Sequence, residues 1–192
     1  MLFIFKILEK TMKRLLFCLV LNVFAIISNA QSIGSFLDFH LGQSMSEVRN
    51  IVNYKYPSAT WKSNECTIDN ISIAGENFKG LCLKFDNNKL KSGQFFQSDF
   101  KLDAFSYENA KRYVDNVSSQ YINMISRLYS LFKSKYGKES YFTNDTVVWR
   151  EANGNSITIK LRLTVEDVGY GTYAGTVGVW LTYEASSNLG NY

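Results

Sequence analysis

The chain has 192 residues, 46% of them hydrophobic, with 21 basic and 17 acidic side chains and a formal charge of +4. Residues 1–30 hold Lys6, Lys10, Lys13 and Arg14 against the single acid Glu9, so 17 basic and 16 acidic side chains follow them and the charge falls to +1. That balance excludes a global field favouring nucleic acid or an anionic membrane surface, and a remainder of about 160 residues suits one well-buried domain.

The N-terminus carries the clearest signal. Lys13 and Arg14 precede the apolar stretch Leu15–Ile27, and Ser28-Asn29-Ala30 supplies small residues before a cut at Ala30-Gln31. This is the layout of a secretory signal peptide. A transmembrane anchor needs about 20 apolar residues, and this stretch is shorter and interrupted by Asn22. The first eleven residues carry an apolar run of their own, so Met12 is the better start than Met1. Cys18 sits too near the start of the apolar stretch to be a lipid anchor. The expected protein is therefore exported, to the periplasm or beyond, with no transmembrane span after cleavage.

After the cut, Phe36–Leu41 is a short extended segment. Ser44-Met45-Ser46-Glu47 is a capping box, and Met45, Val48, Ile51 and Val52 recur at helical spacing up to Pro57. The spacing predicts a helix over 45–54. Three strands follow, at Asn70–Ala74, Gly80–Phe85 and Leu90–Gln97. A long helix runs from an N-cap at Ser106 to Gly137. Its stripe is Ala110, Val114, Val117, Tyr121, Met124, Leu128 and Leu131. As one rod it spans roughly 46 Å, so it either overhangs an ordinary strand or softens near Asn116–Ser119. Val147–Glu151 is a strand. Gly154-Asn155 turns into Ser156–Thr164, with Ile157, Ile159, Leu161 and Leu163 on one face and Thr158, Lys160 and Arg162 on the other. Val165–Ala174 reads as a loop, and Gly175–Glu184 alternates with Val177, Val179, Leu181 and Tyr183 inward.

The order is helix, strands, helix, strands, and the two helices end in similar words, Tyr54-Lys55-Tyr56-Pro57 and Lys133-Ser134-Lys135-Tyr136-Gly137. The fold class is α+β: two helix-plus-meander units, about 36–97 and 104–185, forming one antiparallel sheet with both helices on one face. Residues 31–185 make the domain, and 186–192 a tail expected to be disordered. Gly42-Gln43-Ser44-Met45-Ser46-Glu47-Val48, opening a helix after an extended segment, resembles the start of BamE/SmpA-type envelope modules. The tandem layout resembles β-lactamase-inhibitor-protein-like folds. Both resemblances imply exported, non-catalytic proteins that bind other proteins. The chain departs from the first in having no lipidated cysteine at the cut and Tyr56-Pro57 in place of Gly-Pro.

Cys66 and Cys82 are the cysteines left after the cut, and export permits them to pair. With a turn at Gly75-Glu76-Asn77, Cys82 lies opposite Asn70 and Cys66 about 13 Å further along, so a bridge needs a bend at residues 66–69. His40 is the one histidine. Asp38 shares its strand face at i, i+2, a conceivable acid–base dyad, though a lone histidine is more often structural. No zinc set, phosphate cradle or singled-out carboxylate pair appears, and no cofactor is expected. Trp180 falls by parity on the face of Lys160 and Arg162. An exposed Trp beside cations on an open sheet is a candidate interaction site, which Tyr170 and Tyr173 extend. The alternative is that Trp180 covers the sheet by lying over the Lys160 and Arg162 stems. The reading is an envelope or secreted module that binds another such protein or is purely structural. A small exported hydrolase using carboxylates or Asp38/His40 is the competitor.

Overall fold

A computed structural model describes residues 32–104 and 106–186. The segment expected to be a signal peptide, its expected cut, the choice of start codon and the tail from residue 187 on lie outside the described residues. The described part has two helices and ten strands, with all strand pairing antiparallel.

A short hairpin opens it: β1 (Ser35–Phe36) and β2 (Phe39–His40), with Leu37 at φ 51° in the turn. The stretch expected to be one extended segment is thus folded back on itself. Helix α1 (Met45–Lys55) follows. Its capping box is complete: the Glu47 N–H donates to the Ser44 hydroxyl at 3.3 Å, and the Ser44 N–H donates to the Glu47 carboxylate at 3.0 Å. This satisfies two donors the helix would otherwise leave unpaired. The helix stops at Tyr56, as the proline after it requires.

The first meander is β3 (Thr60–Lys62), β4 (Glu65–Ile73), β5 (Glu76–Asp86) and β6 (Lys89–Ala104). Helix α2 (Tyr107–Tyr136) leads to the second: β7 (Tyr141–Phe142), β8 (Thr146–Arg150), β9 (Ser156–Gly169) and β10 (Thr172–Glu184). The sheet order is β3-β4-β5-β6-β10-β9-β8-β7. Each unit is therefore a helix followed by a four-stranded meander. The last strands of the two units, β6 and β10, meet at the centre, and the second unit reads in mirror order from the first. Neither β3 nor β7 was legible in the sequence, because two or three residues carry no period.

Both helices pack on one face. Val48 and Val52 of α1 are buried, and Arg49 lies over the Trp61 ring, which stacks on Phe85. From α2, Phe132 meets Trp149 and Tyr183. Phe36 of the opening hairpin stacks on Tyr183 of β10 and meets Phe95 of β6 edge-on, so it fills the seam between the two units. The inner residues of β10 (Val177, Val179, Leu181 and Tyr183) are all buried, as their alternation predicts.

Three expectations are corrected. The loop over 165–174 is instead a continuous ribbon: β9 and β10 pair as far as Gly169 and Thr172 around the two-residue turn Tyr170-Gly171, both at positive φ. The long helix neither overhangs nor softens. It is one 30-residue helix, about 45 Å long, and the unusually long strands β6, β9 and β10 lie beneath it. Gly175 makes that contact possible: a Cβ there would stand 2.8 Å from the Ala110 carbonyl of α2. The stripe on α2 ends on Phe132, which is buried, and Leu131 is 43% exposed.

The register of the β4–β5 hairpin also differs. Its turn is Ala74-Gly75, both at positive φ, with Ile73 opposite Glu76 and Cys82 opposite Thr67. Asn70 sits at φ 53°, where the β4–β5 pairing skips from Asp69 to Ile71. Buried positions accordingly change phase from Ile68 to Ile71 on β4 and from Leu81 to Phe78 on β5.

Candidate functional site

The face of the sheet opposite the helices is built from the other parity of the same strands. On β10 it carries Thr176, Gly178, Trp180 and Thr182. Phe96 of β6 and Lys160 of β9 stand directly opposite Trp180, and Ser98 and Arg162 opposite Gly178. The Trp180 ring lies back along its own strand: a Cβ on Gly178 would come within 2.6 Å of it. Phe96 of β6 instead lies across to β5, over Gly80, where a Cβ would come within 2.5 Å of its ring. Two aromatic rings thus lie flat where two glycines leave the sheet bare, and both stay partly exposed. Trp180 thus covers Gly178 of its own strand.

Lys160 and Arg162 are exposed on this face. Arg162 pairs with Glu166 further along β9, and that guanidinium holds the Glu166 carboxyl below the usual carboxylate range. Gln94 donates to the Thr182 hydroxyl at 3.2 Å beside them. Towards the free end of the ribbon the same parity brings Phe100, 59% exposed, and Leu102, 55% exposed.

The structure therefore brings together Trp180, Lys160 and Arg162, and separates the two tyrosines. Tyr170 stands fully exposed at the ribbon's turn. Tyr173 is on the opposite face, its ring 5.7 Å from that of Tyr107 on α2. Sequence reasoning missed Phe96, Phe100 and Leu102. Their alternation with Gln97, Asp99 and Lys101 was the available signal, and it was masked by Phe95, which is fully buried on the helix side.

The other candidate, His40, acquires a partner that the sequence did not place. The Ser35 hydroxyl lies 2.7 Å from His40 Nδ1 across the β1–β2 hairpin. Asp38 does not complete a triad. Its carboxylate pairs with Lys55 Nζ at 2.8 Å, and that hydrogen bond raises the lysine's pKa. The His40 backbone N–H donates to Gln43 Oε1 at 3.2 Å. Nucleophilic catalysis needs a base oriented by a third group and donors aimed at the developing oxyanion. Here the carboxylate is held elsewhere, and neither Ser35 nor His40 lines the shallow clefts beside Asp145 and Lys160, beside Lys91 and Glu184, or beside Lys101 and Arg112.

Cys66 and Cys82 are both free thiols. Cys66 is buried on the helix face and Cys82 is half-buried on the outer face. Among the described residues, no three His, Cys, Asp or Glu side chains cluster closely enough to hold a metal ion. None of the described helices is long and apolar enough to cross a membrane. A partly exposed polar contact ties α2 to the sheet: Asp99 accepts from the Tyr121 hydroxyl at 2.6 Å and from Lys79 Nζ at 2.7 Å. Against known proteins, the chain matches no family model, no curated protein and no solved structure.

Proposed function

We propose that the protein is an exported, non-catalytic module of the cell envelope or secreted fraction that binds another protein through the outer face of its sheet. The observation that carries this reading is the apolar run along that face, Trp180 and Phe96 followed by the exposed Phe100 and Leu102. Aromatic anchors set among small polar residues are the composition of an interaction patch, and a monomer rarely leaves such residues contiguous without a use. The signal-peptide layout at residues 12–30 and the helix opening Gly42–Val48 are the sequence features that support export and an envelope role.

The test compares envelope proteins retained by the wild type with those retained by Phe100→Ser with Leu102→Ser and by Trp180→Ala with Arg162→Ala. The reading expects one retained protein to be lost with both pairs and kept with Leu131→Ser on the exposed side of α2. An unchanged set removes the outer face as the site.

The second reading, a small hydrolase, draws on the Ser35–His40 contact. Its test is labelling of Ser35 by a fluorophosphonate and loss of label in His40→Ala. An unlabelled Ser35 removes that reading.

A further inference from the structure

The far part of β6 loses the strand that flanks it. β5 stays paired to β6 only as far as Gly80 opposite Phe96, while β6 runs on to Ala104, paired to β10 on its other side. Beyond Gly80 the Lys79 N–H turns to Gln97 Oε1 at 2.9 Å, and Lys79 Nζ donates to the Ser98 carbonyl at 2.5 Å. The rest of the hairpin tip leaves the plane of the sheet towards α2. Phe78 packs on Phe95, and Glu76 pairs with Arg127. Arg127 lies about 9 Å further back along α2 than Tyr121, the residue level with Asp99. The tip therefore lies behind Ser98, and none of the described strands flanks β6 on this edge from Asp99 onward.

Alternation decides what that edge offers. In an antiparallel ladder, successive residues direct their backbone groups to opposite edges. The Ser98 carbonyl is directed to Lys79 Nζ, so the N–H and C=O groups of Phe100 and Leu102 point to the same free edge. Their side chains lie on the outer face and are 59% and 55% exposed. Sheet edges are ordinarily guarded by charge, as Arg162, Glu166 and Asp167 guard the end of β9. On this edge of β6 the residues that offer backbone groups are apolar.

We propose that this edge binds an extended segment of the partner protein, which adds to β6 as a further strand in the lane that β5 leaves. The proposal rests on the protein-binding reading above and specifies how the partner is held. A guest of about five residues lies opposite Asp99–Asp103. It exchanges backbone hydrogen bonds with Phe100 and Leu102, and its apolar side chains at alternate positions cover those two residues on the outer face. A strand meets both features at once, whereas a cover laid on the outer face leaves the edge groups unpaired. A second β6 does not fit in this way. Setting Phe100 against Leu102 of another copy would place Ser106 of each chain opposite Phe96 of the other, where Gly80 already lies.

Short random peptides displayed on phage and panned against the purified protein test this. The enriched peptides should carry apolar residues at alternate positions. Leu102→Pro removes an edge donor that the β10 ladder does not use, so it should leave the circular dichroism unchanged and weaken the best peptide by about tenfold or more. N-methylation of alternate amides in that peptide should weaken it equally on the wild type. When the peptide binds, the Phe100 and Leu102 amides should become protected from hydrogen exchange. A peptide that is lost with Phe100→Ser and Leu102→Ser, yet protects neither amide and ignores Leu102→Pro, overturns the added strand and leaves the outer-face reading standing. Failure to enrich any peptide overturns the proposal. So does a wild type that dimerises in sedimentation and is made monomeric by Leu102→Pro, which would give the edge to a second copy.

Discussion

Cys66 and Cys82 lie on neighbouring strands, one residue out of register, and face opposite sides of the sheet. Cys66 stands opposite Leu83 and Cys82 opposite Thr67. Since successive side chains on a strand alternate faces, being close in register keeps these two sulfurs apart. Burial pushes the Cys66 thiol up to about 11, and burial followed by the Glu65 charge raises that of Cys82. A thiol reagent at about pH 8 should therefore label Cys82 slowly in the native protein and Cys66 only on unfolding. Reductant should leave the thermal midpoint unchanged. A midpoint that falls with reductant would mean a bridge.

This pair also shows where the sequence was readable. That β4 and β5 form a hairpin follows from two alternating runs around Gly75. The turn itself does not, because Ala74 takes a positive φ that its side chain gives no hint of, and the small shift of the turn from 75–77 to Ala74-Gly75 moves the partner of Cys82 by three residues, from Asn70 to Thr67. The overall architecture survived such errors because it rests on long periodic elements. Each helix, its caps and the inward parity of β10 were set by many residues together. The outer face was legible at Trp180 and at Thr158, Lys160 and Arg162 of β9, and not on β6. Phe96, Phe100 and Leu102 lie on a strand whose apolar residues serve both faces, and no single period describes it.

The end of the α2 stripe gives a second prediction. Steps of 4 and 3 average 3.5 residues, but an α-helix turns every 3.6, so a strict heptad drifts around the rod. After six steps the drift moves the buried position from Leu131 to Phe132. Phe132→Ala should cost about 3–5 kcal/mol by leaving a hole against Trp149 and Tyr183. Leu131→Ala should change stability by less than about 0.5 kcal/mol. Urea unfolding of the two variants separates them, and equal losses would place the stripe where the heptad put it.

A third prediction concerns acid. Lys79 first, and then the Tyr121 hydroxyl, hold the Asp99 carboxyl below its ordinary value of 3.8. A lowered folded-state pKa means the unfolded chain takes up the proton first as pH falls. The stabilisation is thus fully present above the ordinary carboxylate value and is lost as pH drops through the folded one. Asp99→Asn should be less stable than wild type at neutral pH, and the difference should shrink below about pH 4. Denaturant midpoints measured from neutral to acid pH check this; a constant difference would mean that the carboxylate's charge contributes nothing.

The two faces of β10 should answer differently to the same small insertion. At Gly175, a Cβ meets the backbone carbonyl of Ala110 at 2.8 Å, with Tyr113 and Val114 close behind. A helix backbone cannot rotate out of the way, so Gly175→Ala must lift the N-terminal half of α2 or distort the strand. A cost of about 1–3 kcal/mol follows. At Gly178 the atoms in the way are the far edge of the Trp180 ring and the Ser98 Cβ. The ring can swing off the sheet towards solvent and the Ser98 Cβ cannot, so in a Ser98→Gly background Gly178→Ala should change stability by less than about 1 kcal/mol and shift the Trp180 fluorescence to longer wavelength. If the proposed partner meets the ring in its flat position, this variant should weaken binding while leaving the fold intact. Loss of stability at Gly178 equal to that at Gly175 would show instead that the ring is fixed, and that Trp180 serves the sheet alone.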